Sequence, residues 1–368
     1  MELFVCSSNY QLLNAIMIVQ RNNIVAEILI TRESLWYGCD LSVLTQKGIF
    51  KETYKWTVLL ERLADEKIKK PSDKIKILTK KLITYLNKHA IWESLPNKDK
   101  RYEVVHVAYV DSLTLWIYTY FKSSGSKLSL FEDGTYSYGC LDVKKSHLRK
   151  FAELLLYRGS GIDECVQMYI KHPERVKLGS HSKVRLIKID EHFDNRTITD
   201  IILPLYRTNP ISISKFKRPV IIFDQNLELS EVKELQRGLV KKVVNIFGNE
   251  EVLLKLHPSS REINYGADIT IFDEKLPFEV VMAYESMDKK LLVSIFSTAC
   301  MSPKLDYNHE PFIIFTYRLY GDLFLIEDSY LEQIDQLRDT YVHKNRIAVP
   351  KNMTEFIQMV NLFRDEMR

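Results

Sequence analysis

The sequence predicts an α/β protein made of two Rossmann-like domains, and three observations lead there. The chain opens with a β-loop-α-β pattern: an apolar strand over 2–6, N-cap side chains at Ser7-Ser8-Asn9, a helix over 10–21 and a second strand over 25–30. The same rhythm restarts at an apolar strand over 220–223, followed by an amphipathic helix over 230–247 and a strand over 252–256. A length of 368 residues with 46% hydrophobic content is enough for two separate cores.

Composition narrows the class. A net charge of +4 is too small an excess to indicate a nucleic-acid partner, and no nucleic-acid module is recognisable. Twenty Tyr and 17 Phe against 12 Gly and 11 Pro argue against disordered or linker-rich architecture. Cys6, Cys39, Cys140, Cys165 and Cys300 are odd in number and contain no Cys-x-x-Cys, which reads as reduced thiols in a cytoplasmic protein. The first residues lack a basic stretch followed by an apolar one, so no signal peptide is expected, and no apolar run approaches the ~20 residues of a membrane helix. Any membrane contact is therefore expected at the surface, peripheral to the inner membrane. The run of Lys67, Lys69, Lys70, Lys74, Lys76, Lys80 and Lys81 is either a solvated face or a patch for anionic headgroups.

In the first half, residues 54–88 read as helical but broken at Pro71, with a candidate strand over 75–78. A strand over 104–108 and a helix over 112–121 follow. Then comes Lys127-Leu128-Ser129-Leu130-Phe131-Glu132-Asp133-Gly134, a buried strand running into two carboxylates and a turn-forming glycine. Residues 147–157 read as a helix, and 166–170 and 184–189 as strands. The stretch 207–219 holds Pro210 and Pro219 without clear periodicity and reads as the linker, giving domains over 1–210 and 211–368.

In the second half, the 220–223 strand ends at Asp224-Gln225-Asn226. The 230–247 helix takes Ser230 as its cap, with Glu231 and Glu234 in its first turn. The 252–256 strand runs into His257-Pro258, and another strand covers 269–272. Pro277-Phe278-Glu279 opens a short helix, with the proline in the first turn. A strand over 291–296 ends at Ser297-Thr298, a further strand covers 311–317, and 330–341 and 353–367 are helices. The last of these is placed where it can pack back on the N-terminal domain.

The candidate chemistry lies at strand ends, where ligands bind in parallel α/β sheets. Glu132 and Asp133 form a carboxylate pair able to supply a general base, although a solvated turn has the same look. Gln225, His257-Pro258 and Ser297-Thr298 would crowd one edge of the second sheet. Imidazole, hydroxyls and backbone N–H groups are what hold a phosphate without a metal. Pro258 restricts the backbone of His257. Each feature alone is also a common turn or cap. No Asp-x-Asp occurs in the chain, so the divalent-metal site that many glycosyltransferases build on that pair is not expected. No GxSxG, HExxH or EF-hand loop supports a hydrolase, zinc-protease or calcium reading.

Taken in order, Glu132-Asp133-Gly134, His257-Pro258 and Ser297-Thr298 resemble the D/E-D/E-G, HP and S-S/T motifs of the bacterial sialyltransferases. The opening Ser7-Ser8-Asn9-Tyr10-Gln11-Leu12-Leu13-Asn14-Ala15, the Gln225 strand end and Lys255-Leu256-His257-Pro258 look like glycosyltransferase family 52. The resemblance spans nearly the whole chain.

The resemblance implies a GT-B fold with its domains facing a central cleft, an acceptor side with the base in 1–210 and a CMP-sugar donor side in 211–368. It implies inverting, metal-independent transfer of sialic acid from CMP-sialic acid to a galactoside, with no cofactor. A capsule or lipooligosaccharide chain is the expected acceptor, and α-2,3 the expected linkage. Glu132 is the preferred base, by analogy with relatives, with Asp133 positioning it. His257 as a cation, with Ser297, Thr298 and backbone amides, would neutralise the departing phosphate. Lys255, Pro258, Gln225 and Glu279 fall on the donor side, and Ser7, Ser8, Asn9 and Gln11 in a loop on the same cleft. The alternatives are a GT-B enzyme using another nucleotide sugar, or a non-catalytic glycan-binding subunit of polysaccharide assembly.

Overall fold

The computed structural model describes residues 1–57, 88–134, 136–142, 157, 161–179, 183–189, 193–225, 230–257, 265, 269–272, 276–323 and 328–367. They fall into two compact units, Met1–Phe193 and Asp194–Arg368.

The first unit holds one sheet in the order β3-β2-β1-β4-β5-β6-β7. Its strands are β1 (Glu2–Cys6), β2 (Ala26–Ile30), β3 (Thr53–Lys55), β4 (Val104–Val107), β5 (Lys127–Phe131), β6 (Cys165–Ile170) and β7 (Arg185–Lys188). The second unit holds β8 (Val220–Phe223), β9 (Val252–Lys255), β10 (Thr270–Phe272), β11 (Leu291–Ser294), β12 (Phe312–Phe315) and β13 (Ile347–Ala348), in the order β10-β9-β8-β11-β12-β13. Every pairing in both sheets is parallel. The sequence dictates this: β2, β8, β9, β11 and β12 are buried along their whole length, as strands covered on both faces must be. Both sheets follow the doubly wound pattern, with the order in which strands are added switching side at β1/β4 and at β8/β11. These are the two Rossmann-like units expected of a GT-B chain.

The unit boundary lies ahead of the 207–219 stretch, and that stretch is structured. Residues Asn195–Thr197, Ile198–Ile202 and Leu203–Leu205 form consecutive helical turns that bury Ile198, Ile201, Ile202, Leu203 and Leu205. The helix Pro210–Ser214 starts on an Asn209 cap, whose Oδ1 accepts the Ser212 N–H at 2.9 Å. Phe216 then stands edge-on to Phe272 at 4.7 Å, anchoring the stretch in the second core.

The last helix, Met353–Met367, buries Phe356, Val360 and Phe363 in the same second-unit core, with Phe363 against Phe312 at 4.8 Å. Pro277 is the N-cap of the helix Phe278–Met282 rather than part of its first turn. The helices Glu33–Gly38, Ser42–Gln46 and Ser302–Tyr307 and the edge strands β3 and β13 are additions to the predicted set. The basic run, the 75–78 strand and, apart from Tyr157, the 147–157 helix lie outside the described residues. None of the five buried cysteines forms a disulfide. Among the described residues no helix is long and apolar enough to cross a membrane.

Candidate functional site

In the first unit the candidate residues gather at the C-terminal edge of the sheet. β1 ends at Cys6, and Ser8, in extended conformation, caps the helix Asn9–Asn22 by accepting the Gln11 N–H at 3.2 Å. The Gln11 side chain reaches back, its Oε1 accepting from the Ser7 N–H at 2.7 Å and the Ser7 hydroxyl at 3.1 Å. Ser7 Oγ also lies 3.3 Å from Tyr109 Oη, just beyond β4. Asn9 Oδ1 accepts from the Cys39 thiol at 3.8 Å. Ser8 and Asn9 thus hold the loop, and Ser7 and Gln11 line the edge.

The two carboxylates after β5 differ sharply. Glu132 is 2% exposed and fully engaged. Its Oε1 accepts from Tyr10 Oη at 2.7 Å, and its Oε2 from the Lys171 N–H at 2.7 Å and Tyr138 Oη at 3.1 Å. Its carbonyl accepts from Asn14 Nδ2 at 3.0 Å. Tyr10 and Asn14 stand four residues apart on one helix face, so one helix grips Glu132 twice. Asp133 is only half-buried, and its backbone N–H donates to Ser137 Oγ at 2.7 Å. Burial raises the Asp133 carboxyl above its ordinary value of 3.8. A hydrogen bond from Gln11 and the Arg32 charge pull it down, and the Glu132 charge adds to the rise. Gly134 turns the chain at φ +68°, a conformation that glycine adopts at little cost.

In the second unit Asp224 and Gln225 follow the end of β8, and Leu256 and His257 follow Lys255 at the end of β9. Asp224 is buried. Its Oδ1 accepts from Tyr265 Oη at 2.6 Å, its Oδ2 from the His257 N–H at 3.3 Å, and its own N–H donates to the Lys255 carbonyl at 2.9 Å. The His257 side chain is open to solvent, yet the protein packed behind it lowers its pKa below 6.5. Asp224 raises it and Lys255 lowers it further. The cation expected from the sequence is thus disfavoured by this surrounding and favoured by Asp224. Lys255 is 7% exposed, and burial lowers its ammonium from 10.5 to about 8, with Glu279 opposing. Gln225 is 9% exposed and, among the described residues, its Oε1 has no hydrogen-bond partner. Glu279 sits in the first turn of Phe278–Met282, its carbonyl accepting from Tyr307 Oη at 2.9 Å.

Ser297 follows β11 as a local cap. Its N–H donates to Ser294 Oγ at 2.7 Å, and its Oγ accepts the Ala299 N–H at 3.3 Å. Thr298 begins the 3-10 turn Thr298–Cys300. β8 separates β11 from β9 in the sheet, so Ser297 and His257 end strands roughly 10 Å apart. Pro258 lies outside the described residues.

Gln225, Lys255 and His257 thus share one sheet edge; Lys255 feels the charge of Glu279, and His257 feels that of Lys255. Sequence reasoning missed Asp224, Tyr10, Tyr138, Lys171, Tyr109 and Arg32. Asp224 had a readable signal, since it follows β8 as Glu132 follows β5. The others contribute through contacts between distant positions.

No family model and no curated protein matches the chain. Solved structures similar to it include the UDP-GlcNAc 2-epimerase from Neisseria meningitidis bound to UDP-GlcNAc, at 12% identity and TM-score 0.48, covering 100% of this chain and 94% of that one. The calicheamicin glycosyltransferase has 8% identity and TM-score 0.48, with coverage of 100% and 93%. The Arabidopsis thaliana protein UGT89C1, complexed with UDP-L-rhamnose, has 11% identity and TM-score 0.47, again covering 100% and 93%.

Proposed function

We propose that the protein is an inverting, metal-independent glycosyltransferase that takes its sugar from a nucleotide-activated donor. More specifically, we read it as a sialyltransferase using CMP-sialic acid and a galactose-terminated surface glycan of the capsule or lipooligosaccharide type, forming an α-2,3 linkage. The carrying observation is the division of labour within the acidic pair. Three donors occupy the Glu132 carboxylate, which fits it for holding structure, while Asp133 is half-open with a raised pKa, which fits it for accepting a proton. This reading exchanges the roles that the sequence alone suggested.

In this mechanism Asp133 takes the proton of the acceptor hydroxyl, and that oxygen bonds to the anomeric carbon. The bond from the same carbon to the phosphate oxygen breaks, its electron pair leaving with the nucleoside monophosphate. The donor nucleotide belongs to the edge formed by Gln225, Lys255, His257 and Glu279. The absence of Asp-x-Asp supports a mechanism in which side chains, not a divalent ion, meet the phosphate.

The test is incubation with CMP-sialic acid and a lactose-type acceptor. Wild type is expected to transfer sugar and release CMP, and Asp133→Asn to lose most of that turnover. Absence of both transfer and CMP release in the wild type would overturn the sialyltransferase reading. Binding of UDP in preference to CMP would redirect it to another nucleotide sugar.

A further inference from the structure

Lys255 ends β9 in register with Phe223 of β8 on one side and Phe272 of β10 on the other. In-register neighbours point to the same face of a sheet, so the lysine stem stands in a row between two phenylalanines. Phe278 packs edge-on to Phe223 at 4.9 Å, and Phe216 edge-on to Phe272 at 4.7 Å, closing the row with further rings. The ammonium lies 5.9 Å from the Phe272 centroid. Among the described residues it has no hydrogen-bond acceptor and no carboxylate within 4.0 Å, and Glu279 reaches it only through its field.

A buried charge without a partner is costly. At a sheet edge where ligands bind, that cost is recovered when a ligand brings the opposite charge. Gln225, on the same edge, adds a second unmet need. Among the described residues its buried Oε1 accepts from nothing, so it calls for a hydroxyl or amino donor. A ligand that satisfies both carries an oxyanion and a nearby O–H or N–H, as a nucleotide does.

We propose that Lys255 is the positive group that receives the phosphate of a nucleotide at the second unit's sheet edge, with Gln225 Oε1 accepting a hydrogen bond from the same ligand. This rests on the glycosyltransferase reading and deepens it: the buried charge that meets the phosphate comes from Lys255, with the His257 ring beside it on the same edge. Phosphate binding favours the charged ammonium, so a lysine partly neutral beforehand takes up a proton on binding.

The experiment is calorimetric titration at about pH 8.5 in two buffers of different ionisation heat, with CMP, cytidine and inorganic phosphate as probes. Wild type is expected to bind CMP with net proton uptake. Lys255→Met should bind CMP about tenfold to a hundredfold more weakly, without uptake, because one charge-assisted contact is lost. Cytidine should bind both proteins alike. His257→Gln should keep the uptake. The melting temperature of Lys255→Met, expected equal to or above wild type, establishes that it folds. CMP binding with equal affinity to both proteins, or uptake that survives in Lys255→Met, overturns the proposal and leaves the glycosyltransferase reading standing. Phosphate binding with uptake but no nucleotide binding supports the anion site and overturns that reading. Wild-type protein that binds none of the three probes overturns both.

Discussion

The Tyr10 hydroxyl donates to Glu132 Oε1 at 2.7 Å and ties the first helix to the end of β5, 122 positions further along the chain. With Tyr138 and the Lys171 N–H on the other oxygen, Glu132 becomes the joint between the opening helix, β5 and the chain beyond β6. Asp133, the next residue, is left to face the edge with Ser7, Gln11 and Tyr109.

The two acidic residues should therefore separate by phenotype. Asp133→Asn is expected to cut turnover by about 10²–10⁴ while leaving the melting temperature near wild type. Glu132→Gln is expected to cost about 1–3 kcal/mol of stability, because an amide offers one acceptor oxygen where three donors converge. Thermal melts and turnover measured side by side decide it. An Asp133→Asn protein of full activity beside a folded, inactive Glu132→Gln protein would return the base role to Glu132.

The pH dependence of turnover follows from the raised Asp133 pKa. A base works only when ionised, so activity falls as pH drops through that pKa, and the acid limb should lie above the ordinary aspartate value of 3.8. Arg32 holds the pKa down, so Arg32→Gln should move the limb to higher pH, by a small amount because Arg32 is exposed. A pH–rate profile of the two proteins reads both effects, and a limb unmoved from the free-aspartate range would count against Asp133.

Lys255 leaves a mark on stability. Below its folded pKa of about 8 the ammonium is charged in both folded and unfolded chains, and the burial cost is present in full. Between that pH and 10.5 the unfolded chain still holds a proton that the folded one has lost, so stability rises with pH by a total on the order of 3 kcal/mol. Lys255→Met should abolish this rise. Chemical denaturation of both proteins across the window measures it.

Gly134 turns the chain at φ +68° with open space where a Cβ would stand. Replacement is therefore opposed by backbone strain and not by a clash. Gly134→Ala should cost about 1–2 kcal/mol and Gly134→Asn less, since asparagine tolerates this conformation. A melt series of Gly, Asn and Ala in that order of stability is the expected result, and equal melting temperatures would contradict it.

The sequence carried the inner strands well because their apolar runs are self-evident: β1 and β8 were expected over 2–6 and 220–223, where they lie. The edge strands β3 and β13 span three and two residues, too short for any period to register. The helix Pro210–Ser214 has a start signal in Asn209-Pro210, but its five residues are too few for a hydrophobic period to show. At the site, the strand-end placement of Glu132, Asp133, Gln225 and His257 was legible. The difference between Glu132 and Asp133 was not, because it depends on Tyr10, Tyr138 and the Lys171 amide. The isolation of Lys255 was hidden too, since it depends on Phe216, Phe272 and Phe278 arriving from three separate segments.

The pairing of β1 with both β2 and β4 bears on synthesis at the ribosome. Glu2 aligns with Ala26 on one side but with Val104 on the other. At about 5–20 residues per second, β1 waits roughly 5–20 s after its own synthesis for its second neighbour. During that interval an apolar strand presents an open hydrogen-bonding rim to other nascent chains, so slow translation or crowded polysomes will penalise the yield of this protein before any of its chemistry begins.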